Sequence, residues 1–208
     1  MGTVSVLALH GQHGTAEILR RQMRPLAAVL PPTVELTFVD APSLALGDIG
    51  WWRDGDMRGW ERTLDWARTV TAEHHFDGVI GFSQGAALAG MLVAAQESTT
   101  PGAAAPAGLE FGFAVIISGF IEPADEASAL LRRPLRTPSL HVMSAVDTVV
   151  PVRASERLAA CFTAPRIVCH GGGHVIPTDH AALAEIVSFV SRRGEGARPM
   201  KEEEFHVR

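Results

Sequence analysis

The chain has 208 residues, of which 47% are hydrophobic and 20% charged, with a formal net charge of −5. That length fits one domain able to bury a real core, and the composition is that of an ordinary soluble globular protein. The acidic balance argues against a nucleic-acid partner, which would reward basic stripes, and two cysteines, Cys161 and Cys169, are too few for a secreted disulfide scaffold.

The N-terminal run Met1-Gly2-Thr3-Val4-Ser5-Val6 carries neither a basic region nor a cleavable apolar core, so no secretory signal is expected. Arg, Asp or Glu interrupts every apolar run before it reaches membrane-spanning length. A soluble, cytoplasmic protein with no membrane partner is the expectation. Val4 to Leu9 reads as the first strand and ends at His10-Gly11, where a loop begins. Thr15 is placed to cap a helix whose apolar positions are Ile18, Leu19, Met23, Leu26 and Leu30, with Pro25 predicting a kink or break. Val34 to Val39 alternates as a second strand, stopped by Asp40-Ala41-Pro42.

Ser43 to Gly59 has no clean period and contains the pair Trp51-Trp52; it reads as a long loop or partial lid. Trp60, Leu64, Ala67 and Val70 fall at helical spacing, predicting a helix to about His75. Gly78-Val79-Ile80 is a strand-like lead into Gly81-Phe82-Ser83-Gln84-Gly85, and Ala86 to Ala95 is apolar on every side, as a buried helix must be. Thr99 to Gly108 reads as a surface loop. Phe113 to Ile117, Ser139 to Met143 and Arg166 to Cys169 read as further strands, with a helix over Val152 to Phe162. A final helix capped by Asp179 carries the stripe Leu183, Ile186, Val187 and Val190 and is expected to stop at Gly194, leaving a polar tail over 195–208. Strand–helix alternation of this kind predicts an α/β domain over 1–194, a mostly parallel central sheet with helices on both faces. Ligands bind such sheets at the carboxyl ends of the strands.

The chemistry follows from what lies at those ends. A G-x-S-x-G run is informative when strand must turn sharply into helix, because the turn lifts the serine oxygen above the sheet. A serine hydroxyl is a poor nucleophile at neutral pH and needs a base, and that base needs a carboxylate to orient it. His174, after Gly171-Gly172-Gly173 and the last strand, is the candidate base, and Asp147, just after the strand ending at Met143, is the candidate acid. Backbone N–H groups of Gln84 and Gln12 are the candidate donors to an oxyanion. His10 reads as structural. A metal at His170 and His174 lacks a third ligand at suitable spacing, so no metal and no organic cofactor is expected. Phe120, Trp51 and Trp52 are the candidate acyl-pocket residues, favouring an apolar or aromatic group.

These motifs together resemble the FSH-type family of small serine hydrolases within the α/β-hydrolase superfamily. The segments carrying the resemblance are Leu7 to Gly11, Val39 to Pro42, Phe76 to Ala87 around Ser83, Ile117 to Phe120, Asp147-x-x-Val150-Pro151 and Gly172-Gly173-His174. It implies an α/β-hydrolase fold, and the loop over Ser43 to Gly59 is the expected small or partial lid. It also implies esterase or thioesterase activity on small acyl substrates, which in some fungal relatives are polyketide chains carried on synthases. Two other readings stay open at this point: an acyltransferase using the same acyl-enzyme, and a ligand-binding module that has kept the fold without turnover.

Overall fold

The computed structural model describes residues 2–42, 50–98, 108–121 and 129–196. Its elements, in chain order, are β1 (Val4–Leu9), α1 (Ala16–Gln22), α2 (Arg24–Ala27), β2 (Val34–Val39), α3 (Trp60–Glu73), β3 (Gly78–Phe82), α4 (Gln84–Glu97), β4 (Phe113–Ile117), β5 (Ser139–Ser144), α5 (Val152–Ala159), β6 (Arg166–His170) and α6 (His180–Gly196). The six strands form one sheet in the order β2-β1-β3-β4-β5-β6. Every neighbouring pair is parallel.

Period-two alternation in the strands divides the core into two layers. Leu7, Leu9, Val79, Ala114 and Ile116 face Trp60 and Ala67 of α3, Leu88 and Leu92 of α4 and Leu158 of α5. Val6, Ala8, Ile80, Val115, Leu140 and Val142 face Leu19 of α1, Leu26 of α2 and Leu183, Ile186 and Phe189 of α6. The inner strands β3, β4 and β5 are buried along their whole length, while the edge strands β2 and β6 alternate more buried with exposed positions. Helix α4 lies against β3, β4 and β1, and every position from Gln84 to Ala95 is buried, which is why it carries no polar face.

The break expected at Pro25 falls at Met23, whose ψ of 0° departs from the regular helical value before Pro25 enters the first turn of α2. Thr15 and Asp179 cap α1 and α6 through Ile18 N–H (3.2 Å) and Ala182 N–H (2.9 Å). Two boundaries differ from expectation. Helix α6 runs on to Gly196 rather than stopping at Gly194. Helix α5 ends at Ala159, because Phe162 leaves to bridge Leu135. Of the lid-like stretch, 43–49 lie outside the described residues, as do 99–107 of the expected loop and 197–208 of the expected tail.

Chain order fixes where a site can form. The chain passes from β2 back over β1 to β3, so β1 and β3 are neighbours whose following segments leave in opposite directions. The crevice at their carboxyl ends is the switch point of the sheet. The turns after β3, β5 and β6 open at the same edge.

Candidate active site

Ser83 sits between β3 and α4 with φ 56° and ψ −118°. Few residues other than glycine occupy positive φ, and such strain clusters at functional positions. The neighbouring glycines are required by close approach rather than by their own dihedrals. A Cβ on Gly81 would lie 2.1 Å from the Gly85 carbonyl oxygen, and one on Gly85 would lie 2.3 Å from the Leu9 oxygen and 2.5 Å from that of His10. The Ser83 N–H is held by the Ile117 carbonyl at 2.9 Å, and its carbonyl receives the N–H groups of Ala86 and Ala87 at the start of α4.

His174 stands on the loop after β6, with its ring 4.9 Å from that of Phe82. Its Nε2 lies 2.9 Å from Ser83 Oγ and its Nδ1 lies 2.8 Å from Asp147 Oδ2. With the ring neutral, Nδ1–H donates to the carboxylate and Nε2 accepts from the serine hydroxyl. The other oxygen of Asp147 accepts the N–H groups of Val149 (2.9 Å) and Val150 (2.8 Å). The Asp147 side chain is 1% exposed. Burial alone would raise its pKa, but the His174 bond and the two backbone N–H groups together outweigh it, so the carboxyl is held below its ordinary value. The three residues that sequence placed after separate strands are thus one hydrogen-bonded chain.

Two details of this chain were not foreseen. Ser144, the last residue of β5, donates to the Gly172 carbonyl and accepts from Val146 N–H at 3.2 Å, so one hydroxyl ties the Asp147 turn to the His174 loop. His170 braces the same loop by accepting the Gly172 N–H at 3.2 Å. Burial lowers the pKa of His170 against the opposing pull of Asp179 and Asp147. The only signal for Ser144 is a hydroxyl at a strand end. Among the described residues no group of three or more His, Cys, Asp or Glu side chains could hold a metal ion.

A cleft of about 320 Å³ opens at Ser83. Gln12 and Gln84 line it beside the serine, Phe120, Ile121, Val149 and Val150 form an apolar wall, and Asp54 and Arg157 supply opposite charges. The Gln12 loop passes close to Ser83, since a Cβ on Gly11 would lie 3.3 Å from the Ser83 Cβ. Phe120 lines the cleft. Trp51 and Trp52 do not. Both are fully buried, at 0% and 1% exposure. Trp51 is drawn inward by polar atoms as much as by its ring: its N–H donates to Gln84 Oε1 (3.0 Å) and its indole Nε1–H donates to the His10 carbonyl (2.7 Å). The expectation that these two rings contact substrate is therefore corrected. His10 is structural, with Nδ1–H donating to the Gly11 carbonyl (2.7 Å) and Nε2 accepting from Ala41 N–H (3.1 Å). Burial keeps its pKa below the usual value, despite the Gly11 bond and Asp40.

A parallel sheet of this order, with a strained serine at the strand–helix turn and a histidine from a later loop beside it, defines an α/β-hydrolase of the serine type. The chain belongs to the serine hydrolase (FSH1) family, whose model matches residues 1–186. Its relatives include esterase OVCA2 of Homo sapiens, 35% identical over 70% of this chain and 69% of that protein. Esterase OVCA2 of Danio rerio is 28% identical over 90% of this chain and 96% of its own length. Among solved structures, acyl-protein thioesterase 2 of Zea mays superposes with a TM-score of 0.67 at 20% identity, over 93% of this chain and 94% of that one. A Bacillus cereus carboxylesterase gives 0.62 at 16% identity, over 92% and 89%. The chain is an enzyme of the esterase/thioesterase class. Among the described residues no helix is long and apolar enough to cross a membrane.

Proposed function

We propose that Ser83, His174 and Asp147 form a catalytic triad that cleaves carboxylic esters or acyl thioesters through an acyl-enzyme on Ser83. The observation that carries this is the unbroken run of hydrogen bonds from Asp147 through His174 to Ser83 at 2.8 and 2.9 Å. As Ser83 Oγ attacks the acyl carbon, its proton passes to Nε2 of His174. The imidazolium so formed is stabilised by an Asp147 carboxylate whose lowered pKa keeps it ionised. The negative charge on the former carbonyl oxygen is taken by the N–H of Gln84, at the start of α4, and by that of Gln12; loss of one such donor costs about 10²–10³ in rate. His174 then gives its proton to the leaving alcohol or thiol, and water repeats the sequence to release the acid.

The apolar wall of Phe120, Ile121, Val149 and Val150 supports a hydrophobic acyl group. Esterase-named relatives support oxygen esters. An acyl or polyketide chain held as a thioester on a carrier protein belongs to the same chemical class and is the substrate we would screen next. The test is covalent labelling with an alkyl fluorophosphonate. The native protein should take one equivalent and Ser83→Ala none; labelling that survives the substitution removes Ser83 from the reaction.

A further inference from the structure

Segment 50–54 is bonded to both halves of the proposed oxyanion hole. On one side the Gln84 side chain is fully engaged: Oε1 accepts Trp51 N–H at 3.0 Å, and Nε2 donates to the Trp52 carbonyl at 3.1 Å and to Asp54 Oδ1 at 3.0 Å. The fit is close, since a Cβ on Gly50 would come within 2.9 Å of Gln84 Oε1. On the other side Trp51 Nε1–H donates to the His10 carbonyl at 2.7 Å, and its ring stacks on His10 with centroids 4.8 Å apart and planes inclined by 30°. His10 and Gly11 lead directly into Gln12. The Trp51 carbonyl is tied to Thr63 Oγ1 on α3, so the strap is anchored to a helix rather than free to follow either loop.

We propose that Trp51 and the Gln84 side chain are positioning residues that fix the distance between the Gln12 and Gln84 N–H groups. This rests on the assignment of those two N–H groups as oxyanion donors. Neither side chain needs to touch substrate. Trp51 is fully buried, and every polar atom of the Gln84 amide is already bonded within the protein. Their effect appears where charge develops on the acyl oxygen, so it falls on the transition state and not on the ground state. Sequence alone suggested the opposite use of the tryptophans, as walls of the acyl pocket.

Trp51→Phe is the informative variant. It keeps a stacking ring and the main-chain N–H to Gln84 but deletes the bond to the His10 carbonyl. Gln84→Glu keeps the shape and the acceptor for Trp51 N–H. In it a second carboxylate oxygen replaces the donor facing the Trp52 carbonyl and the Asp54 carboxylate. The assays are kcat and KM on a short acyl ester, and the affinity of a trifluoromethyl ketone of the same chain, which binds as a tetrahedral oxyanion. Each variant should lose about tenfold or more in kcat with KM within about threefold, and ketone affinity should fall by the same factor as kcat/KM. The Gln84→Glu variant should weaken further as pH rises and its new carboxyl ionises against Asp54, while Trp51→Phe follows the native profile. Fluorophosphonate titration keeps the two claims apart. If the native protein does not label at Ser83, the triad reading fails. If it labels fully and Trp51→Phe keeps native kcat, or changes KM alone, the positioning role is overturned. A fall in kcat without a matching fall in ketone affinity overturns it as well.

Discussion

Asp147→Asn isolates the proton arrangement of the site without disturbing its shape. In the native protein Oδ1 accepts two backbone N–H groups, from Val149 and Val150, while Oδ2 faces Nδ1 of His174 at 2.8 Å. An asparagine in the same rotamer can satisfy Val149 and Val150 only with its carbonyl oxygen in the first position. Its NH₂ then occupies the second and donates to Nδ1. The imidazole must respond by carrying its proton on Nε2, where it points at Ser83 Oγ and can no longer accept from it. A tautomer error of this kind lowers kcat by about 10⁴ in serine hydrolytic triads, or about 5 kcal/mol of activation free energy. The assay is steady-state hydrolysis of an activated ester, with ¹⁵N NMR of labelled histidine to read the His174 tautomer. The expected result is a loss near four orders of magnitude with the tautomer reversed and the fold intact. A loss under tenfold, or retention of the Nδ1–H form, would refute the orientation argument.

Two further substitutions test the scaffold. His141 is 1% exposed, with Nε2 3.1 Å from Ser139 Oγ, Nδ1 without a partner among the described residues, and the Phe162 ring at 4.9 Å. Burial lowers its pKa to about 4 from the ordinary 6.5. The unfolded chain therefore takes up the proton first. The contribution of His141 is complete above pH 6.5 and is lost as pH falls toward 4, by about 3 kcal/mol at the lower end. Urea unfolding of His141→Leu should show a correspondingly flatter decline from pH 7 to 4.5, and parallel curves for variant and native protein would exclude it. Gly85→Ala forces a methyl to within 2.3 Å of the Leu9 carbonyl and 2.5 Å of that of His10, backbone atoms that cannot swing aside. It should cost about 3 kcal/mol, a fall of about 6–12 °C in melting temperature, and displace Ser83 enough to slow fluorophosphonate labelling; an unchanged melting curve would contradict the packing.

The inner sheet was readable because β3, β4 and β5 are buried on both faces and so appear as unbroken apolar runs such as Phe113 to Ile117. Alternation of strands with helices implied parallel pairing. Strand order was not readable, because whether β3 joins β1 or β2 depends on which helices cover which face. Helix starts were legible where a side chain caps them, as at Thr15 and Asp179. Helix ends were less so. Gly194 carries a stop signal only if the chain adopts a left-handed turn there, and instead α6 continues to Gly196.

The positions of Ser83, Asp147 and His174 followed from topology, since parallel strands deliver each following loop to the same edge of the sheet. What local pattern could not supply was the direction of a side chain within that edge. An aromatic pair in an aperiodic, glycine-flanked stretch is equally compatible with lining a cleft and with filling the core. The choice here is made by hydrogen-bonding demand. The Gln84 amide, buried beside Ser83 at 1% exposure, needs partners, and the main chain of Trp51 and Trp52 provides them. Once that main chain is drawn against α4, the Trp51 indole N–H meets the His10 carbonyl and the ring lies over His10. The residue after Ser83 thereby determines where the tryptophans go. The glutamine of G-F-S-Q-G thus serves the elbow twice, by its own N–H in the proposed reaction and by its side chain in the packing that holds that N–H in place.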